Sequence, residues 1–149
     1  MRPGEIPDVH YHFLSRDRFD ELVRLGGFIE WKEVHGNMYG TPAGPVREAL
    51  KQGASIILDI DVQGAREVFK AFPDAVGIFI SAPDMRTLEQ RLRRRGSDSA
   101  ESIKIRLQNA QGEMELARLF RYQIVNDDLD TTINDLASII RKESGINKD

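Results

Sequence analysis

The sequence predicts an α/β fold in which helices flank a parallel sheet. Short apolar runs at residues 55–60, 76–80 and 123–125 alternate with segments of helical periodicity. Such runs are typical of strands buried on both faces of a parallel sheet, and their alternation with helices indicates βαβ units. Because these sheets bind ligands beyond the carboxyl ends of their strands, the residues that follow the runs are candidates for a site.

The first half of the chain predicts mixed structure. Short strands are expected at residues 9–13, 28–31 and 33–34, and helices over residues 16–25 and from 41 to about 53. Ser15 can cap the first helix, and Gly26-Gly27 ends it. Gly36-Asn37 predicts a turn, and Pro42 suits the start of the second helix, where its missing N–H does no harm.

In the second half, each predicted helix begins near a side chain that can accept a hydrogen bond from the first helical turn. These candidate N-caps are Asp61, Asp84, Ser99 and Asp128. The helices are expected to run to Phe72, to about Arg94, through Met114 and through Ile140.

The composition is typical of one globular domain. The chain has 149 residues, of which 40% are hydrophobic and 30% charged, and its net charge is −3. This balance disfavours disorder and provides no basic field for nucleic acid. No apolar stretch is long enough to span a bilayer, and the first residues do not form a signal peptide. The absence of cysteine excludes disulfides and suits the cytoplasm, which is the predicted location.

Two carboxylates, Asp59 and Asp61, stand at the end of the apolar run at residues 55–60. Buried carboxylates need a partner, and this is the position where α/β sheets contact ligands. Asp61 also precedes Val62-Gln63-Gly64, so it is equally well interpreted as the N-cap of the next helix. The pattern leaves both interpretations open.

Glu30, Tyr39 and Thr41 are polar residues in a hydrophobic segment interrupted by glycines. Glu30 and Asp61 together can accept hydrogen bonds from N1–H and the exocyclic amine of guanine. Adenine has no donor at N1, so such a pair would discriminate guanine. From spacing alone, ordinary surface residues are the competing interpretation.

A local basic cluster is formed by residues 91–95 and Arg106. Arg91 and Arg95 lie four residues apart and therefore on one face of a helix. Guanidinium groups suit phosphate oxygens, and phosphoryl transfer needs positive charge around the moving group. A solvated basic face is the competing interpretation.

No metal site held by the protein alone is predicted. His10 and His12 would lie on the same side of a strand, but no third ligand candidate is near them in the sequence. Asp127-Asp128 is interpreted as the cap of the last helix rather than as a metal ligand.

Taken together, several segments resemble the guanylate kinase family along nearly the whole chain. They are Arg2-Pro3-Gly4-Glu5, Tyr11-His12-Phe13, Phe28-Ile29-Glu30-Trp31, Gly36-Asn37-Met38-Tyr39-Gly40-Thr41, Leu58-Asp59-Ile60-Asp61-Val62-Gln63-Gly64-Ala65, Arg94-Arg95-Gly96-Ser97-Asp98-Ser99 and Val125-Asn126-Asp127-Asp128. Each segment is a weak signal alone, but their order and spacing identify the chain as similar to this family.

The resemblance implies the reaction ATP + GMP → ADP + GDP with Mg²⁺. The implied contacts of the GMP phosphate are Arg2, Tyr11 and Tyr39, and those of the guanine base are Glu30, Thr41 and Asp61. The resemblance implies that Asp59 is the carboxylate near the metal and the transferred phosphoryl group. On the ATP side it implies the lid arginines Arg91, Arg95 and Arg106, with Arg95 and Asn126 as ATP contacts.

The implied architecture is a single P-loop kinase-like domain over residues 1–149. Its expected parts are a GMP-binding region at about 9–41, a core at about 42–90 and 120–149, and a helical lid at about 91–106. Met38 stands where the family often has tyrosine. No G-x-x-x-x-G-K-[ST] motif occurs in the sequence, so the fold is expected to be truncated at its N-terminus.

These departures lead to three expectations about function. The chain alone should bind GMP weakly and without turnover, because the loop that holds the ATP phosphates has no counterpart. A phosphopeptide-binding interaction module of the guanylate-kinase-like type is the alternative. Self-association through an exposed sheet edge is expected, which would give a homo-oligomer.

Overall fold

The computed structural model describes residue 6 and residues 11–34, 36–96 and 99–145. The chain forms two compact units, Met1–Pro73 and Asp74–Asp149. In the described part of the chain, no helix is both long enough and apolar enough to cross a membrane.

The described residues of the first unit form an antiparallel hairpin and three helices. In chain order these are α1 (Arg16–Arg24), β1 (Phe28–Val34), β2 (Asn37–Pro42), α2 (Ala43–Lys51) and α3 (Val62–Ala71). All three helices contact β1. Phe19 of α1 is buried and stacks on Phe28, with ring centroids 4.4 Å apart, so the start of β1 is fixed by aromatic packing.

The second unit contains a parallel strand pair with helices between and after the strands. Its elements are β3 (Ile78–Ser81), α4 (Met85–Arg95), α5 (Ala100–Leu116), a short 3₁₀ helix (Ala117–Leu119), β4 (Tyr122–Val125) and α6 (Leu129–Ser144). Helix α4 packs on α5, and α6 packs on β4. The buried apolar side chains of this unit are Leu92, Ile103, Ala117 and Ile124.

The predicted N-caps are confirmed. Each capping side chain accepts a hydrogen bond from the backbone N–H three residues further on, which satisfies a donor that the first helical turn leaves free. The caps are Ser15, Asp61, Asp84, Ser99 and Asp128.

One predicted strand, at residues 55–60, is not a strand in the structure. The segment is neither helical nor paired with any other described segment, and Ile57 is 75% exposed. Apolar composition favours a buried strand, but a strand forms only where a neighbouring backbone completes the hydrogen-bond ladder. The prediction was wrong because composition does not reveal whether that neighbour is present.

Several predicted boundaries also differ. Strand β1 is continuous where two short strands were expected, and β3 begins at Ile78 rather than residue 76. Helix α2 begins at Ala43, because Pro42 still pairs with Phe28 and acts as the N-cap. Of the predicted strand at residues 9–13, Tyr11 forms an isolated bridge, and residues 9 and 10 lie outside the described residues.

Candidate functional site

One face of the β1–β2 hairpin carries four polar side chains. Glu30 and Lys32 are alternate residues of β1, so they lie on the same side of the hairpin. In the register of the pair, Thr41 lies opposite Glu30 and Tyr39 lies opposite Lys32. The antiparallel register therefore brings two predicted guanine contacts and one predicted phosphate contact onto a single face.

Glu30 is a buried carboxylate held by a neighbour across the hairpin. It is 7% exposed, and the Thr41 hydroxyl donates a hydrogen bond of 2.6 Å to its Oε1. The competing interpretation of Glu30 as an ordinary surface residue is therefore wrong. A carboxylate removed from water is costly unless it has partners, so its burial indicates a site that supplies them.

Gly64, in the first turn of α3, allows that helix to approach Glu30 closely. A Cβ atom at this position would lie 3.1 Å from Glu30 Oε2 and 3.4 Å from Asp61 Oδ1. Any larger residue would push against two carboxylates. The absence of a side chain at residue 64 is thus what lets Glu30 and Asp61 share one small volume.

Asp61 has two roles in the structure. Its Oδ1 accepts a 2.9 Å hydrogen bond from the Gly64 N–H, which confirms the cap interpretation, and its Oδ2 accepts one from Lys32 Nζ. Burial by itself raises the pKa of the Asp61 carboxyl. The Gly64 N–H and the Lys32 ammonium outweigh that effect, so the pKa lies below its ordinary value and the group is ionised at neutral pH.

Two tyrosines extend the hairpin face. The rings of Tyr11 and Tyr39 meet edge to face, with centroids 5.9 Å apart and planes 72° apart. Tyr39 is half-buried, whereas Tyr11 is 45% exposed. The structure thus groups Tyr11, Tyr39, Glu30, Thr41 and Asp61 within the first unit.

One other predicted residue of the first unit is not part of this group. Asp59 is an exposed carboxylate in the unpaired segment before α3. Arg2 lies outside the described residues.

In the second unit, Arg91 of α4 is tied to the chain that follows β4. Its guanidinium donates to the backbone carbonyls of Asn126, at 2.6 Å, and Asp127, at 3.1 Å. The Asn126 backbone N–H in turn donates to the Ser81 carbonyl at 2.7 Å. Arg91 and Asn126 are therefore adjacent, and their contact also joins α4 to the end of the sheet.

The remaining predicted arginines lie on helix surfaces. Arg95 is the last residue of α4 and is exposed, and Gly96 ends that helix with φ at 67°. Arg106 is exposed on α5. Three exposed arginines in the last turn of α4 also favour the helix dipole, so the interpretation as a solvated basic face stays open beside the lid role.

One residue considered for metal binding has another role. Asp128 caps α6 and accepts from both the N–H and the hydroxyl of Thr131, at 2.9 and 2.8 Å. His10 lies outside the described residues. In the described part of the chain, no three His, Cys, Asp or Glu side chains gather in a group that could hold a metal ion.

Lys32 belongs to the hairpin face but was not singled out from the sequence. It lies between the two strands predicted at residues 28–31 and 33–34, and the continuity of β1 is what places it on the same face as Glu30. What the sequence did not reveal is the partner, since Asp61 lies on a different element.

Comparison with known proteins gives one consistent result. The guanylate kinase family model matches residues 1–143. A guanylate kinase of Carboxydothermus hydrogenoformans is 46% identical over 142 residues, covering 95% of this chain and 70% of that protein. One from Chromobacterium violaceum is 47% identical over 142 residues, covering 95% of this chain and 68% of that protein.

A solved structure agrees with these matches. The crystal structure of guanylate kinase from Anaplasma phagocytophilum superposes with a TM-score of 0.78 at 34% sequence identity, covering 97% of this chain and 70% of that one. The predicted P-loop kinase-like α/β fold class is thereby confirmed.

The fold and these matches define a nucleotide-binding kinase, that is, a transferase of phosphoryl groups. The chain belongs to the guanylate kinase family. The family reaction is the transfer of a phosphoryl group from ATP to GMP, and the family uses Mg²⁺ with ATP.

Proposed function

We propose that this chain binds GMP on the hairpin face of its first unit and selects guanine through Glu30 and Asp61. The observation that carries the proposal is the buried Glu30 carboxylate, with Oε1 held by Thr41 and Oε2 next to the Gly64 backbone near Asp61. Two neighbouring carboxylates match the two donors on the Watson–Crick edge of guanine.

The arrangement favours guanine over adenine for a physical reason. The Thr41 hydrogen bond fixes the orientation of Glu30 before a ligand arrives, so little freedom is lost on binding. Adenine would bring its N1 acceptor towards carboxylate oxygens, which also accept hydrogen bonds, and a polar group would be left unpaired.

The phosphate end of GMP is assigned to the tyrosine pair. We propose that Tyr11 and Tyr39 donate their hydroxyls to the phosphate, with Arg2 as a further contact by family resemblance. The edge-to-face contact of the two rings supports their acting as one group.

On the ATP side, the proposal follows the family. Arg91, Arg95 and Arg106 would neutralise the phosphates, and Asn126 would lie near the adenine. Mg²⁺ would enter with ATP and neutralise charge on the phosphate oxygens. It is commonly held by one or two carboxylates plus those oxygens, and the exposed Asp59 fits the part of such a carboxylate.

The 149 residues assayed by themselves are proposed to give no turnover. They contain no G-x-x-x-x-G-K-[ST] motif, whose backbone, lysine and hydroxyl hold the phosphates and Mg²⁺. Single charge-stabilising contacts in a transition state are commonly worth about 3 kcal/mol, so the loss of several leaves negligible rate. A coupled assay for ADP with ATP and GMP tests this, and family-like turnover by the pure chain would contradict it.

GMP selection is tested by titration of the unaltered chain with GMP and AMP. Trp31 is the only tryptophan and follows Glu30, so its fluorescence can report binding alongside calorimetry. We expect GMP to be preferred, and Glu30→Gln to remove the preference. Glu33→Gln is the matched control, because Glu33 is exposed on the same strand and points to the opposite face.

Two outcomes would contradict the assignment. Equal affinity for GMP and AMP in the unaltered chain would exclude the guanine site. Binding of a phosphopeptide without preference for GMP would favour the interaction-module alternative. The cytoplasmic location and the homo-oligomer stay predictions, and sedimentation at micromolar concentration tests the latter.

A further inference from the structure

Lys32 forms an ion pair with Asp61, a proposed guanine contact. In the strand register, Lys32 lies opposite Tyr39, a proposed phosphate contact. Lys32 Nζ donates to Asp61 Oδ2, although the two residues are 29 positions apart in sequence. The side chains are 39% and 30% exposed. A ligand on the hairpin face can therefore reach both of them.

The register places Lys32 between the two ends of the proposed site. Glu30 and Thr41 form one cross-strand pair, and Lys32 and Tyr39 form the next pair along the hairpin. Tyr11 contacts the Tyr39 ring. The Lys32 backbone lies opposite Tyr39, and its ammonium contacts Asp61. Because four flexible carbons separate the two, the ammonium can reach either the base end or the phosphate end of the proposed site.

The charges on this face leave one suitable partner for a phosphate. Glu30 and Asp61 are negative, the Tyr39 and Thr41 hydroxyls are neutral, and Lys32 is the only cation among the four hairpin residues of the face. A phosphate monoester brings a charge of about −1.5 to −2 at neutral pH. Neutral hydroxyls alone compensate that charge poorly, whereas an ammonium forms a charge-assisted hydrogen bond.

We propose that Lys32 moves from Asp61 to the phosphate when GMP binds. The inference rests on the proposed GMP function and adds a residue to it. Ion pairs that water still reaches contribute little net stability, and both of these side chains are partly exposed, so the pair with Asp61 opens at small cost. Its opening also frees Asp61 Oδ2 to accept a hydrogen bond from guanine.

This exchange couples the two ends of the ligand. A phosphate that attracts Lys32 makes Asp61 available to the base, so GMP gains from both effects. Guanosine has no phosphate, and Lys32 stays on Asp61 and competes with the base for its oxygen. Lys32 therefore sets the preference for the nucleotide over the nucleoside.

The test measures GMP and guanosine affinities for the unaltered chain, Lys32→Met and Lys32→Arg. We expect Lys32→Met to weaken GMP binding about tenfold or more, while guanosine binds at least as tightly as to the unaltered chain. Lys32→Arg keeps the cation and should retain most of the preference for GMP. Lys70→Met is the control, because it removes a lysine that pairs with Glu67 within α3, where both side chains are exposed.

Three outcomes would overturn the proposal. One is unchanged GMP affinity in Lys32→Met. Another is an equal loss of GMP and guanosine affinity, which would mean that Lys32 only holds the site together. If Lys32→Met melts early, the Arg variant decides: a folded Lys32→Arg chain without preference for GMP over guanosine also overturns it.

The same titrations separate this inference from the function it rests on. If the unaltered chain fails to prefer GMP over AMP, both the proposed function and the Lys32 role are contradicted. If it prefers GMP over AMP but Lys32→Met keeps the full preference for GMP over guanosine, only the Lys32 role falls.

Discussion

On the hairpin face of the first unit, charged side chains from different elements contact one another or share a neighbour, whereas in the second unit the arginines at residues 93–95 and 106 lie exposed on helix surfaces. Glu30 and Asp61 both lie against Gly64, and Lys32 bonds Asp61. The arginines that end α4 are exposed, and Arg91 bonds backbone carbonyls instead of a carboxylate. Contacts between different elements thus organise the hairpin face, whereas Arg93 of the basic cluster pairs with Glu89 of its own helix.

This difference follows from how each unit holds its functional residues. A hairpin fixes which side chains share a face through its register, and α3 adds Asp61 by capping. A helix end fixes only the direction of its last turn, and an arginine side chain there, such as Arg93, pairs within its own helix. We expect substitutions on the hairpin face to change nucleotide selection, and loss of the Arg91 bonds to lower the stability of the second unit.

The largest expected effect is a loss of stability when the aromatic packing at the start of the hairpin is removed. Phe19→Ala removes a buried ring that stacks on Phe28 at the start of β1, and should lower the free energy of unfolding by about 3–5 kcal/mol. Urea unfolding followed by circular dichroism measures this. Leu92→Ala is the counterpart in the second unit and should cost about 2–5 kcal/mol.

The two core variants also sharpen the comparison through ligand binding. Phe19→Ala should weaken GMP at temperatures where the chain is still folded, because β1 carries Glu30. Leu92→Ala should not. Equal effects of both variants on GMP affinity would mean that the hairpin face does not depend on its own packing.

Arg91→Ala should destabilise the second unit by about 1.5–3 kcal/mol, since two backbone carbonyls lose a charged donor. Arg94→Ala, an exposed neighbour on the same helix, should change stability by less than about 0.5 kcal/mol. Thermal melts of the two variants give the comparison. Similar melting temperatures would show that the Arg91 bonds contribute nothing.

Thr41→Val should weaken GMP by about tenfold, because Glu30 Oε1 loses its donor and its fixed orientation while the side-chain shape is kept. Thr41→Ser keeps the hydroxyl and should bind GMP as the unaltered chain does. Calorimetric titration of the two variants distinguishes loss of the hydroxyl from loss of volume. If Thr41→Ser also bound GMP weakly, packing and not the hydroxyl would be what residue 41 contributes.

The smallest expected effect is a pH dependence of stability at Asp61. Because its folded-state pKa lies below the ordinary value, its contribution is fully present above the unfolded pKa of about 3.9 and is lost as pH falls through the folded pKa. Asp61→Asn can still cap α3 but cannot ionise. The stability difference between the two chains should be constant above about pH 5 and shrink below the ordinary carboxyl pKa.

Asp84 and Asp128 also have lowered pKa values, mainly through hydrogen bonds from the Thr87 and Thr131 backbone N–H groups. Their pH-dependent contribution to stability is the same in the unaltered chain and in Asp61→Asn, so it cancels in the stability difference between the two. A difference that grows on acidification would mean that the Asp61 carboxylate destabilises the fold.

The sequence by itself determined the local features of this protein. N-caps such as Ser99 and Asp128 depend only on a side chain and the helix that follows, so their spacing suffices to predict them. The ordered motifs identified the family for the same reason, because they lie at fixed positions along the chain. The continuity of β1 through residue 32, which puts Glu30 and Lys32 on one face, was not among these features, because two separate strands were predicted there.

Only the tertiary structure decided which of these residues meet. The burial of Glu30, its bond to Thr41 and the pairing of Lys32 with Asp61 depend on strand register and on the approach of α3 at Gly64. The segment at residues 55–60 illustrates the same limit, because its apolar composition suits a strand but pairing requires another backbone. Contacts between residues distant in sequence are set by how elements pack, and no single element encodes that packing.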